Sequence, residues 1–152
     1  MADFHLGLNA KMYHGSEALT TLVSADDVTW TEIPNVAEVN LDLTSAEADM
    51  TTRASGGWSE FAQTLRTAAV SFKLKFKDSD TYFEALRDAF LNNTEVPLLF
   101  MDMAATTTGA QGLAANFMVA GMPRPEPLTD VIWYTFSVKP SSHVEWYEKA
   151  AS

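Results

Sequence analysis

Apolar and polar residues alternate with period two in two places along this chain. In "VAEVNLDL", Val39, Leu41 and Leu43 point one way while Glu38, Asn40 and Asp42 point the other. In "AAVSFKLKFK", Val70, Phe72, Leu74 and Phe76 share one face, and Ser71, Lys73, Lys75 and Lys77 share the opposite one. Each pattern predicts a strand with one face on a core and one in water. "GLNAKMYHG" reads as a first strand ending at Gly15, and Val28 to Ile33 as a short strand broken by Pro34. Three more strands are expected in "EVPLLFMD", "LAANFMVAGM" and "VIWYTFSVKP", separated by the surface loops "AATTTGAQG" and "PRPEPLTD". The period changes to helical only in "DSDTYFEALRDAFLNN", where Tyr82, Phe83, Leu86, Ala89 and Phe90 form one apolar stripe. Thr81 and Glu84 fit a capping box, and Asn92 and Asn93 fit the exit. The expected fold is mainly β: an antiparallel sandwich or barrel with one packed helix, in a single domain over residues 1–152.

One stretch breaks the pattern. "LTSAEADMTTRASGGWSE", residues 43 to 60, has no helical or strand period and few large apolar residues beyond Leu43, Met50 and Trp58. Structureless loops longer than about 12–15 residues inside compact domains are usually functional or disordered.

Charge and motifs then narrow the chemistry. Twenty acidic and ten basic residues give a formal net charge of −10, which disfavours ordinary nucleic-acid binding. The excess is uneven: residues 1–60 hold ten acids and two bases, Lys11 and Arg53. The absence of cysteine excludes disulfide and thiolate chemistry. The first residues lack the basic-then-apolar order of a secretory signal, and no stretch reaches the roughly 18 apolar residues of a spanning helix. "NNT" at Asn92 matches a glycosylation acceptor only formally. His5, His14 and His143 show no metal-ligand spacing, and Asp26–Asp27 fits an exposed turn better than a paired-carboxylate site. "SGGW" lacks the Lys-Ser/Thr of a phosphate cradle. Trp30, Trp58, Trp133 and Trp146 read as core or interface anchors. No enzyme, cofactor or metal motif is found.

The succession of "WTEIPNVAEVNLDL", "EADMTTR", "GGW", "TAAVSFKLKF", the helix ending "DAFLNN" and "QGLAANFMVAGMPRPEPL" resembles the major tail tube protein of long-tailed, non-contractile bacteriophages, over roughly residues 5 to 140. The resemblance implies two hairpins per subunit in a barrel shared by six subunits, with the helix outside. Hexameric rings would stack into a tube that conducts DNA without binding it specifically. Tube ends would meet other tail proteins, and the chain would belong to the virion after assembly in the host cytoplasm. Six subunits with four barrel strands each make twenty-four strands; at about 4.8 Å spacing and about 40° tilt they leave a bore of roughly 35–40 Å. The polar faces, Glu38, Asn40, Asp42, Ser71, Lys73 and Lys75, would then line the lumen. In an antiparallel pair, Glu38, Asn40 and Asp42 are expected beside Lys75, Lys73 and Ser71. A neutral or acidic bore lets a polyanion slide, so the two lysines need carboxylate partners.

The resemblance also gives the unpatterned stretch a role as an arm, residues 44–60, reaching the next ring. Met50, Thr51, Thr52, Arg53 and Trp58 would make the contact, with Gly56 and Gly57 letting the arm bend. The C-terminal segment 140–152 would dock at an interface through Trp146 and Tyr147, and Tyr82, Phe83, Leu86 and Phe90 would pack the outer helix. Two other readings fit the same pattern. One is a ring-forming tube protein of a secretion or contractile injection system; the other is a monomeric β-barrel that binds a small ligand. Arg53→Ala or Trp58→Ala is expected to leave the monomer folded but impair tube formation, measured by electron microscopy beside circular dichroism; normal polymerisation counts against the arm.

Overall fold

A computed structural model describes residues 6–150, so His5 and the end of the C-terminal segment lie outside the described residues. The strands are β1 (Lys11–Gly15), β2 (Trp30–Glu32), β3 (Val36–Asp49), β4 (Phe61–Lys75), β5 (Val96–Met101), β6 (Gln111–Gly121) and β7 (Trp133–Glu148); helix α1 spans Thr81–Asn92. They form one antiparallel sheet in the order β2-β1-β5-β6-β7-β4-β3.

The two edges of this sheet, β2 and β3, are consecutive in sequence, with Ile33, Pro34 and Asn35 between them. A flat seven-stranded sheet is about 29 Å across, whereas the chain from Glu32 to Val36 can span only about 14 Å. The sheet must therefore roll. The Ile33 N–H donates to Met12 O on one side at 2.9 Å, and the Lys75 N–H donates to Asn35 O on the other at 3.0 Å.

Rolling encloses the main core, where Val70, Phe72 and Leu74 of β4 meet Phe136 and Val138 of β7 and Phe83, Leu86 and Ala89 of α1. Phe83 lies 4.6 Å from Tyr134 and 5.2 Å from Phe76, centroid to centroid. The expected helix stripe holds at Phe83 and Leu86, with Tyr82 partly buried, but Phe90 is 38% exposed. The helix is capped one residue earlier than expected. Asp80 is the N-cap, its carboxylate accepting from the Tyr82 N–H at 3.1 Å and from Asn35 Nδ2 at 2.7 Å. Thr81 is thus the first helical residue and cannot serve in a box with Glu84. Asn93 ends the helix in the left-handed region, φ 56°.

A second core lies on the opposite face of β1, β5 and β6. Leu19, Ala25 and Val28, from the segment between β1 and β2, cover Tyr13, Leu99, Met101 and Ala114 there. With cover on both faces, all six residues of β5 are buried, which explains its unalternating "VPLLFM". Asn116 of β6 pins the covering segment. Its side chain accepts from the Leu19 N–H and donates to Leu19 O, both at 2.8 Å, and it is buried.

Two expectations are corrected. Residues 43–60 are not structureless, because β3 continues to Asp49 and β4 starts at Phe61, paired through Asp49↔Phe61. Both faces of that ribbon are exposed, so no apolar period marks it. Likewise β7 does not stop at Pro140 but continues to Glu148 along β6. Register shifts around Asn116–Phe117 place an irregularity where the prolines's missing donor is tolerated, and His143 takes φ 52°. Residues 140–148 are therefore strand, with Tyr147 buried in the second core and Trp146 exposed.

Replacing Asn116 by Leu leaves two buried backbone groups of Leu19 without partners, at about 1–3 kcal/mol each. Urea unfolding is expected to show about 2–6 kcal/mol lower stability; an unchanged midpoint would refute the pinning role.

Candidate functional site

The polar side of the sheet is continuous across three neighbouring strands, β3, β4 and β7, with β6 next to them. The pleat sends Val70, Phe72, Leu74, Phe136 and Val138 into the core and therefore Ser71, Lys73, Thr135, Ser137 and Lys139 to the other side. Glu38, Lys73 and Thr135 form one row across β3, β4 and β7; Asn40, Ser71 and Ser137 form the next. On β6, Met118 pairs with Lys139 and is exposed.

The observed register differs from the expected one by two residues. Glu38 faces Lys73, Asn40 faces Ser71 and Asp42 faces Ala69. A bulge between Ser45 and Glu47 and the length of the hairpin set this offset, and neither shows in the alternation. All six expected residues nevertheless share the polar face. Thr135, Ser137 and Lys139 were missed, although "TFSVK" alternates as cleanly as the strands that were used.

Two lysines on this face, Lys73 and Lys75, are neutralised locally. Lys73 Nζ lies 3.3 Å from Glu38 Oε2. Lys75 finds its carboxylate not on β3 but in the loop before β7, at Asp130 Oδ2, 3.1 Å away. Both ammonium groups also stand over the Trp133 ring, at 5.2 and 4.7 Å from its centroid. The hydrogen bond from Lys75, followed by that from the Val131 N–H, holds the Asp130 carboxyl below the usual carboxylate range.

Beyond the body, the β3–β4 ribbon carries a closed tip. The Met50 N–H donates to Glu60 O at 2.8 Å, and Thr51 Oγ1 accepts from the Glu60 N–H at 2.9 Å. Arg53–Ser55 make one 3-10 turn, boxed by Thr52 and Ser55. Gly56 and Gly57 then take φ 65° and 87°, conformations that favour glycine. They close the tip; bending was the expected role. Trp58 at this tip is 78% exposed, and Leu65 along the ribbon 77%.

His14 sits on β1, half-buried near the Tyr82 ring, and burial lowers its pKa; His143 lies far along β7.

Because Asp130 titrates low in the folded chain, its pairing contributes stability above the ordinary carboxylate range and loses it as pH falls through the folded value. NMR titration of Lys75→Gln is expected to move the Asp130 transition to higher pH; an unmoved transition would disprove the pairing.

The sequence matches no known family profile, and no curated protein matches it. Solved structures do. A chain from the virion of a native gene transfer agent particle superposes with TM-score 0.68 at 17% identity, covering 95% of this chain and 99% of that one. The SPP1 tail tube, determined by solid-state NMR and cryo-EM, gives TM-score 0.71 at 7% identity, covering 97% and 81%. A chain of the anti-feeding prophage baseplate gives TM-score 0.67 at 6% identity, covering 99% and 100%. The seven antiparallel strands and single helix are thus the fold of the tail tube.

Proposed function

We propose that this chain is a structural subunit that closes into hexameric rings and stacks them into a tail tube conducting DNA. The observation that carries this reading is a four-stranded face, polar on β3, β4 and β7, with a free edge on each side. At one side, among the described residues, β3 has no partner but β4, and its Val39 and Leu43 are exposed. At the other, β5 pairs with β6 only as far as Phe117, so β6 runs on to Gly121 without an outer neighbour. A sheet that is apolar behind, polar in front and open at both edges can be continued by further copies into a closed barrel.

The likeness to a tail structure refined with C6 symmetry supports six copies. The polar face, with Glu38, Asn40, Asp42, Ser71, Lys73 and Lys75, then lines the bore. Lys73 and Lys75 are already paired with Glu38, Asp130 and Trp133, so these two offer passing phosphates little reason to stay. The arm tip, with Met50, Thr51, Thr52, Arg53 and Trp58, reaches an adjacent ring. Other tail proteins meet the tube ends, the assembled chain belongs to the virion, and assembly takes place in the host cytoplasm. The role is structural, with neither catalysis nor cofactor.

The likeness to the anti-feeding prophage baseplate favours a second reading, a ring of a contractile injection system. Electron microscopy of the purified chain separates the two, since long tubes support the first and short stacks or free rings the second. A stable monomer at high concentration would sink both and revive the small-ligand module. The lumen assignment has its own check. The chain has no cysteine, so Ser137→Cys supplies a single reporter. In assembled tubes the thiol should react with a small maleimide but not with a maleimide on a carrier wider than the bore of roughly 40 Å. Equal labelling by both would place Ser137 outside.

A further inference from the structure

At the root of the arm β4 and β7 part company. They pair only from Val70↔Val138 to Lys75↔Trp133, and the fork beyond holds a groove of about 550 Å³. Ala68 and Leu113 form its apolar floor, and both belong to the main core. The groove is therefore the unfinished end of that core. Leu43 walls it on one side, Val144 and Trp146 on the other, and all three are exposed.

We propose that this groove receives the arm tip of a second copy of the chain, with Trp58 as the inserted side chain. The assignment rests on the tube reading and names the surface that the arm meets. Size, charge and reach argue for this occupant. Burying an indole removes about 150–250 Å² from water, and Trp58 is the most exposed tryptophan of the chain. The tip is already closed by its own hydrogen bonds, so docking orders little new backbone. The tip presents the acids Asp49 and Glu60 beside Arg53, while the groove presents Arg66. A tip carboxylate can thus meet Arg66.

Reach excludes the chain's own tip. The ribbon from Leu43 to Met50 is about 23 Å long, and folding it back would break the β3–β4 ladder. Tip and groove are different surfaces of one molecule, so their contact is head-to-tail and repeats without closing.

The test uses electron microscopy of full-length Trp58→Ala and Val144→Arg chains, alone and mixed. Both positions are exposed, so both variants should keep the wild-type circular dichroism spectrum. Each alone is expected to give single rings and at least roughly tenfold fewer stacked tubes. An equal mixture should give two-ring stacks, because intact tips of one variant meet intact grooves of the other at one interface only. Wild-type stacking by either variant alone overturns the proposal. So does a mixture without ring pairs, or a variant that forms no rings although the wild type does. A wild-type chain that forms no rings instead removes the tube reading and the groove assignment with it.

Discussion

The structure depends on how little chain joins its two sheet edges. Asn35 stands in that junction and binds three parts at once. Its carbonyl accepts from the Lys75 N–H, and its side chain donates to Lys75 O and to the Asp80 carboxylate, both at 2.7 Å. The start of β3, the end of β4 and the first turn of α1 are thereby fixed together. With the edges held close, the sheet has an inside and an outside. The inside takes the apolar halves of β4, β6 and β7 together with the helix. The polar halves of β4 and the first half of β7 are left, with that of β3, as an outer surface.

Much of this was legible in the residues. Val70, Phe72 and Leu74 alternate with Ser71 and Lys73 because one face is buried and the other wet, and that difference is written directly into composition. The helix stripe is legible for the same reason. Where burial is equal on both faces, the signal vanishes. β5 hides both faces and reads as an apolar run; the distal ribbon exposes both and reads as a loop. Pro140 misled in another way, since a local stop signal was outvoted by pairing with β6. Register and ion-pair partners were invisible, because Lys75 found Asp130 across a long sequence separation. The row added by Thr135 and Ser137 was readable and was overlooked.

On the tube reading, two kinds of surface divide the work. The strand face is polar, and its Lys73 and Lys75 are held by carboxylates and an indole on the same chain. The ribbon and the root groove expose isolated apolar side chains. A lone copy keeps Trp58, Leu65 and Val144 in water, at a cost that association removes. The sheet chemistry thus suits passage, and the arm chemistry suits attachment.

The long free strand has a consequence for which partner it accepts. β3 carries Glu38, Asp42, Glu47 and Asp49 and no basic residue, whereas β6 carries no charge at all. Were two copies to meet edge to edge through β3, two rows of carboxylates would be forced together in a symmetric dimer that ends growth. The uncharged border of β6 imposes no such repulsion. On the tube reading, electrostatics along a single strand thereby disfavours the twofold pair relative to the rotationally repeating arrangement.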